Sequence, residues 1–334
     1  MAGAPCTVAV DAMGGDRAPG EIVAGALEAA TTLGVHILLH GRVEELRPLL
    51  PDPIPERVTL VDTRDVIAMD DEPLAAVRKQ KDSSIVVCAR AVRDGAADAM
   101  VSAGNTGAVT AAAVLRMKRL RGVPSPAIAV PIPVPGHHPQ VLVDAGAVVD
   151  ASPERLLLYA QMGGAYARAR YGLESPTLGL LSNGEEPGKG DDMRREANEL
   201  LRSVPGFVGN VEGSDFMHPG RADVIVTDGF TGNVALKSME GALRSLANVV
   251  FGVLDATPET REAAKVVTPR LLEAAEAYDP DLTGGAVLLG VDGVCVISHG
   301  NSSARAVVSA VQLAADCVRA GAVRRMQEAV ANAR

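Results

Sequence analysis

Two stretches of the chain share one pattern. Residues 98–109 read DAMVSAGNTGAV and residues 223–234 read DVIVTDGFTGNV, and both fit D-x-x-V-[ST]-x-G-x-T-G-x-V. Each sets a short, continuous apolar run directly before a Gly- and Thr-rich turn, as in a strand buried on both faces. After the second turn Leu236, Met239, Leu243 and Leu246 recur at three- and four-residue steps, the spacing of a helix with one apolar stripe. A strand feeding a Gly turn and then a helix aims backbone N–H groups and a positive helix end at one point, a ready place for an anion.

The same alternation runs through the chain. Short apolar runs predict strands at 7–11, 35–39, 57–61, 99–102, 127–134, 141–143, 177–181, 207–211, 224–226 and 294–298. Helical periodicity, Ser, Asp and Glu caps and first-turn prolines predict helices at 20–33, 43–50, 73–81, 84–93, 107–120, 153–171 and 191–203. Two more helical regions run from the second turn to about 277 and from 302 to about 331. Strands alternating with helices mean an α/β fold with a largely parallel sheet and right-handed crossovers. Six unusual turns each follow a strand: 11–16, 102–107, 144–147, 182–190, 228–233 and 298–301. In an open parallel sheet such turns share the carboxyl edge, where ligands bind.

At 334 residues the chain has the length of about two lobes, and 47% hydrophobic with 22% charged residues suits a large core. The net charge of −9 argues against non-specific nucleic-acid binding, which needs a basic face. Cys6, Cys88, Cys295 and Cys317 are far apart, form no C-x-x-C and sit in apolar segments, so they are expected as buried, reduced thiols. No basic n-region precedes Thr7 and Val8, and no apolar run has the length of a membrane span. A cytoplasmic protein is expected.

The two matching turns offer N–H donors around Ser102, Gly104, Asn105, Thr106 and Gly107, and around Asp228, Gly229, Thr231, Gly232 and Asn233. Lys237 is expected one turn into the second helix, close to the same anion. The bland alternative is a pair of tight βα turns with N-caps. Ser298-His299-Gly300-Asn301 follows the last strand, and an imidazole there can hold or move a proton near neutral pH. Lys189 sits in a Gly-rich loop beside Glu185 and Glu186, either as an anion ligand or as a solvated lysine. Histidines and cysteines show no metal-ligand spacing, and neither G-x-S-x-G, a Walker A motif nor a strand-linked G-x-G-x-x-G occurs, so no metal and no cofactor are expected. Arg116, Lys118, Arg119 and Arg121 form a basic cluster at a predicted helix end. Cations favour that position anyway, and the alternative is docking of an acidic partner. Residues 249–282 read as an amphipathic helical stretch rich in Glu, a packing or dimer face.

Taken together these residues resemble the bacterial phosphate acyltransferases, which convert acyl-acyl carrier protein and inorganic phosphate into acyl phosphate at the entry to phospholipid synthesis. The resemblance is carried by VDAMGGD at 10–16, MDDEP at 69–73, AVR at 76–78, Ser83-Ser84, VSAGNTGA at 101–108, NGEE at 183–186, DGFTGNV at 228–234 with Lys237, and Ser298-His299-Gly300. It implies a three-layer α/β/α fold like that of isopropylmalate dehydrogenases and phosphotransacetylases. It further implies a homodimer, loose attachment to the cytoplasmic membrane, acyl carrier protein as substrate and a downstream membrane glycerol-phosphate acyltransferase. Three positions depart from the family pattern. Residues 144–151 read DAGAVVDA where the family has D-x-G-A-N-V-D-C, Ile297 replaces a Lys before S-H-G, and 249–282 is acidic.

The lobes expected within this single α/β unit are 1–135 with 283–334, and 136–282 with the helical segment 249–282. The mechanism expected is direct attack of phosphate on a thioester, with Lys237, His299, Asn233 and Asp228 as catalytic candidates. Ser102, Gly104, Asn105, Thr106, Gly107, Gly229, Thr231, Gly232, Asn301, Asp11, Asp16 and Lys189 are expected to bind phosphate or substrate, and Arg116, Lys118, Arg119 and Arg121 to dock the carrier. Alternatives are a short-chain phosphotransacylase using coenzyme A, a nicotinamide-dependent dehydrogenase of the same fold, and a non-catalytic scaffold for lipid enzymes.

Overall fold

A computed structural model describes residues 6–332. The elements in chain order are β1 (Thr7–Asp11), α1 (Gly20–Thr32), β2 (His36–Gly41), α2 (Val43–Leu46), β3 (Val58–Asp62), α3 (Pro73–Lys79), α4 (Ser84–Arg93), β4 (Ala99–Ser102), α5 (Thr106–Ala112), β5 (Ala127–Ile132), β6 (Gln140–Val143), α6 (Pro153–Tyr171), β7 (Leu178–Leu181), α7 (Asp192–Leu201), β8 (Phe207–Val211), β9 (Val224–Val226), α8 (Gly229–Asp255), α9 (Pro258–Ala275), α10 (Pro280–Thr283), β10 (Ala286–Leu289), β11 (Val294–Ile297), α11 (Ala304–Arg319) and α12 (Ala322–Ala331). All eleven strands form one sheet in the order β3-β2-β1-β4-β11-β10-β5-β6-β9-β7-β8.

Alternate residues of the buried strands enter two different cores. Val8, Val10, Val141, Val143, Val224 and Val226 pack with Val23, Val307, Leu156, Leu201 and Met326, which belong to α1, α11, α6, α7 and α12. Ala9, Leu142 and Ile225 point the other way, onto Val77, Ile85, Cys88 and Val109 of α3, α4 and α5. The period of two along each strand thus builds a three-layer α/β/α molecule with both sheet faces covered.

The sheet is not parallel throughout. β10 runs antiparallel to both β11 and β5, and β5 is antiparallel to β6. Three reversals between β11 and β6 leave the half β3-β2-β1-β4-β11 and the half β6-β9-β7-β8 each internally parallel but pointing in opposite directions. The expectation that six turns share one carboxyl edge is therefore corrected. The turns after β1, β4 and β11 open at one edge, and those after β6, β7 and β9 open at the other. β10 is a strand that the sequence pattern did not reveal, a four-residue apolar run behind Gly284 and Gly285, both at positive φ.

Two helices also differ from expectation. The helix predicted over 107–120 begins at Thr106, turns π-helical at Ala113–Met117 and stops at Lys118, whose φ is 76°. The last predicted helix is two, α11 and α12, bent by 53° where Gly321 adopts the left-handed conformation. That pair has the length and apolar composition of a broken membrane span, yet its apolar faces are buried on the sheet. Among the described residues no single helix is long and apolar enough to cross a membrane.

Candidate active site

The first edge gathers three turns. Asp11 closes β1, and its buried carboxylate accepts the Ser102 hydroxyl at 2.6 Å and the Met13 amide at 3.2 Å. Ser102 in turn accepts the Gly104 amide at 3.1 Å, so one carboxylate ties the end of β1 to the turn after β4. Burial pushes the Asp11 carboxyl up, while the hydrogen bonds from Ser102 and Ser84 oppose that shift. The β11 turn joins them: Asp16 donates its amide to the Gly300 carbonyl at 2.6 Å, and Ser298 donates its amide to the Ser102 carbonyl at 2.9 Å. A Cβ on Gly15 would meet both Gly300 and Ala103, which is why the three turns close up only with glycine there.

Asn105 caps α5. Its side chain accepts the Ala108 amide at 3.0 Å and donates to the Met69 and Asp71 carbonyls at 2.9 and 3.2 Å, fastening the MDDEP stretch over the turn. The amides of Thr106 and Gly107 lie in the first helical turn, where no intrahelical acceptor exists. Thr106 and Asn301 are exposed at this edge, as is Asp16.

The second edge uses the same vocabulary to a different end. Asp228 is the N-cap of α8, so the helix starts at Gly229, earlier in the shared motif than α5 does. The Gly229 amide bonds the Val148 carbonyl at 2.9 Å, the Gly232 amide bonds the Asp228 carbonyl at 2.9 Å, and the Thr231 amide bonds the Asp228 carboxylate at 2.8 Å. Arg194 from α7 completes the arrangement, with Nη2 2.6 Å from the Asp228 carboxylate and 2.9 Å from the Thr231 hydroxyl. Burial pushes the Asp228 carboxyl up, but the Thr231 and Arg194 interactions outweigh it and hold it below the ordinary range. Nearby, Asp144 accepts amides from Ile128, Gly146, Ala147 and Val148 at 2.8–3.0 Å. Here the Asp228 carboxylate and two backbone carbonyls occupy the Thr231, Gly229 and Gly232 amides that were expected to bind phosphate. Asn233 is exposed and donates to the Ala145 carbonyl at 3.3 Å.

Lys237 corrects a second expectation. It lies eight residues into α8, about 12 Å along the axis from Gly229, and its ammonium pairs one turn further on with Glu240 rather than with the 229–233 turn. It rides α8 back across the sheet to the first edge. There Lys237 Nζ is 2.9 Å from Glu240 Oε2, and Glu240 Oε1 is 3.9 Å from His299 Nε2. Glu240 thus stands between Lys237 and His299, which come from opposite halves of the sheet. Asn233 and Asp228 remain at the other edge.

Lys189 is also apart. It is exposed on a cavity with Asn183, Gly184, Glu185, Glu186 and Glu212, whose acids disfavour an anion. In the basic cluster, Arg116 turns inward to the Val77 carbonyl at 3.4 Å, while Lys118, Arg119 and Arg121 are exposed. The Lys118 and Leu120 backbones bond Asp292 and Gly290 at the amino end of β11, so this patch lies at the edge opposite His299.

Sequence reasoning missed Arg194 and Glu240. The only local signal at Arg194 is its i,i+3 pair with Asp191 at 2.7 Å, whereas its contact with Asp228 spans 34 residues. Glu240 had one available signal, its position three residues after Lys237 on the same helix face.

The three-layer α/β/α fold, with one sheet whose halves run oppositely, is shared with several solved structures. The fold agrees with a phosphotransacetylase from Streptococcus pyogenes, at TM-score 0.64 and 17% identity over 95% of each chain. It also agrees with a branched-chain phosphotransacylase from Enterococcus faecalis, at TM-score 0.59 and 14% identity over 94% of this chain and 99% of that one. A 4-hydroxythreonine-4-phosphate dehydrogenase from Klebsiella pneumoniae shares it at TM-score 0.53 and 14% identity over 93% and 98%.

Sequence carries the assignment further. The family described as Fatty acid synthesis protein matches residues 6–325. A phosphate acyltransferase from Desulfitobacterium hafniense is 42% identical over 323 residues, covering 96% of each chain, and one from Heliobacterium modesticaldum is 44% identical over 325 residues, again 96% of each. The chain belongs to this family of phosphate acyltransferases.

Proposed function

We propose that the protein transfers a fatty acyl group from acyl-acyl carrier protein to inorganic phosphate, giving acyl phosphate for phospholipid synthesis. The observation that carries the chemistry is that Glu240 links Lys237 to His299, at the edge where the Thr106 and Gly107 amides stand free of helical partners. Phosphate held there has a cation on one side and an imidazole on the other, and attacks the thioester directly. The thiolate, with an ordinary pKa near 8.5, departs without a strong acid. Catalysis comes from positioning and electrostatics.

The nucleophile inventory supports direct attack. The Ser102 hydroxyl is committed to Asp11, and Ser298 and Ser302 bond each other at 2.8 Å. Burial pushes the Cys295 and Cys317 thiols up to about 12 and Cys88 well above its usual value. None of these is an activated nucleophile. Phosphate-dependent release of carrier thiol from a long-chain acyl carrier protein is the test. Lys237→Ala should raise the phosphate KM by about 10-fold or more, as expected for a hydrogen bond between charged groups. No phosphate-dependent release, or an unchanged phosphate KM in Lys237→Ala, overturns the assignment. Better turnover of acyl-coenzyme A than of acyl carrier protein would favour the short-chain phosphotransacylase alternative.

Two further parts of the reading concern partners. Lys118, Arg119 and Arg121 suit an acidic carrier, and reversing their charges should weaken carrier binding and its salt dependence; unchanged binding places the docking elsewhere. Beyond Glu240, α8 and α9 expose Leu243, Leu246, Val249, Phe251, Val253, Val266, Val267 and Leu272. So much exposed apolar surface on one helical hairpin suits burial against a second copy as a homodimer. Charges such as Arg244, Glu259, Glu262 and Lys265 alternate along it, whereas a hairpin lying on an anionic membrane would carry a basic polar face. Leu246→Glu with Val253→Glu should yield monomers by light scattering. Monomeric wild-type protein that floats with lipid vesicles would instead assign the hairpin to peripheral membrane attachment, beside the membrane acyltransferase that takes the product.

A further inference from the structure

We propose that Glu240 is a positioning residue for the reaction, a carboxylate that acts through His299. The proposal rests on the acyl-transfer reading and assigns the proton movement within it. Glu240 comes from α8, which starts at the far edge and covers about 16 Å before reaching this residue. It meets Lys237 Nζ with one oxygen, at 2.9 Å, and faces His299 Nε2 with the other, at 3.9 Å. It is partly buried, whereas His299 is largely exposed, so the imidazole is held from one side and open on another.

The other charged groups around the β11 turn are engaged or turned elsewhere. Arg305 pairs with Glu276 and Asp279, Asp281 accepts the Ser303 hydroxyl, and Glu21 accepts the Ala304 amide. Asp16 joins Gly300 through its backbone amide, and its carboxylate lies beside Gly300. Among the described residues Glu240 is the only acid within 4.0 Å of the His299 ring nitrogens.

The reaction needs one proton moved. When hydrogen phosphate attacks, a phosphate oxygen bonds the acyl carbon, the C–S bond breaks, and its electron pair leaves on sulfur. The phosphate hydroxyl proton must end on that sulfur. His299 takes the proton at Nδ1 and delivers it to the thiolate, while Glu240 on the Nε2 side fixes the tautomer and stabilises the imidazolium between the two transfers. Catalytic hydrogen bonds that are long without substrate tighten in the complex, as the 3.9 Å separation requires here. A carboxylate holding an imidazole in this way does not itself gain the proton.

Because Glu240 is an anion beside an anion site, its removal separates two kinetic constants. Glu240→Gln should lower kcat by about 10- to 100-fold while the phosphate KM stays the same or falls. Glu240→Asp should recover part of kcat, and Glu240→Gln in a His299→Asn background should cost nothing further. Thermal unfolding of each variant should match the wild type. The proposal is overturned by a wild-type kcat in Glu240→Gln, by independent losses in the double variant, or by a phosphate KM that rises with kcat unchanged. The wild-type protein tested alongside separates the two ideas. If it releases no thiol with phosphate, acyl transfer itself fails and the proton route with it. If it is active, His299→Asn is slow and Glu240→Gln is normal, only the role of Glu240 is lost.

Discussion

Replacing Arg194 with Ala tests whether the turn at 228–233 is scaffold or phosphate site. The Arg194 and Asp228 side chains are only 12% and 8% exposed, and their contact is 2.6 Å. Arg194 also donates to Thr231 and, through Nε, to the Leu181 carbonyl at 3.0 Å. Removing one partner of a buried pair costs about 3–5 kcal/mol, and the surviving Thr231 amide bond to Asp228 places this case at about 3 kcal/mol. With an unfolding entropy of about 2.1 cal/mol/K per residue over 334 residues, that loss lowers Tm by about 4 °C. Urea titration of both proteins measures it directly. The effect also has a pH signature. The folded Asp228 carboxyl lies below its ordinary value, so its stabilisation is complete above the unfolded pKa near 3.9 and is lost as pH falls through the lower folded value. The gap between wild type and variant should therefore narrow below about pH 4. The phosphate KM should not change. A loss under about 1 kcal/mol, or a raised phosphate KM at full stability, would refute the scaffold assignment and return the turn to phosphate binding.

Two glycines of α8 should respond oppositely to alanine. A Cβ on Gly232 would run into the Asp144 carbonyl, so Gly232→Ala should destabilise by about 3 kcal/mol in urea, whereas Gly241→Ala, with open space around it, should stabilise by up to about 1 kcal/mol. Ser102→Ala deprives the buried Asp11 carboxylate of its 2.6 Å donor and should cost about 1–3 kcal/mol near neutral pH. Burial raises the folded Asp11 pKa, and the protonated form has less need of that donor, so the cost should shrink as the pH of the urea titration is lowered. Lys189→Ala removes an exposed lysine ringed by Glu185, Glu186 and Glu212, and steady-state assays should find the phosphate KM within about twofold of wild type.

Much of the fold was legible before any coordinates. Thr7–Asp11, Ala99–Ser102, Pro153–Tyr171 and Phe207–Val211 stand where apolar runs, helical periodicity and a first-turn proline put them. These signals are local, since periodicity, capping and turn chemistry act within a few residues. β10 escaped because four apolar residues behind two glycines carry too little periodicity to count. The motif shared by 98–109 and 223–234 was real as sequence and misleading as structure. Asn105 caps one helix and Asp228 the other, so α8 starts earlier within the motif than α5.

The sequence by itself determined the element types, the Gly turns, the candidate residues and the family. Tertiary structure alone decided which of those residues lie at the same edge of the sheet. Strand direction depends on pairing between distant segments, and the reversals through β10, β5 and β6 leave no mark on the strands they separate. Those reversals put Asp228 and Asn233 at one edge and His299 at the other, and they let α8 carry Lys237 and Glu240 across to it. The anion-binding turn at 228–233 became a buried ion pair with Arg194 because the partner came from another helix, which only the packed molecule brings within 3 Å.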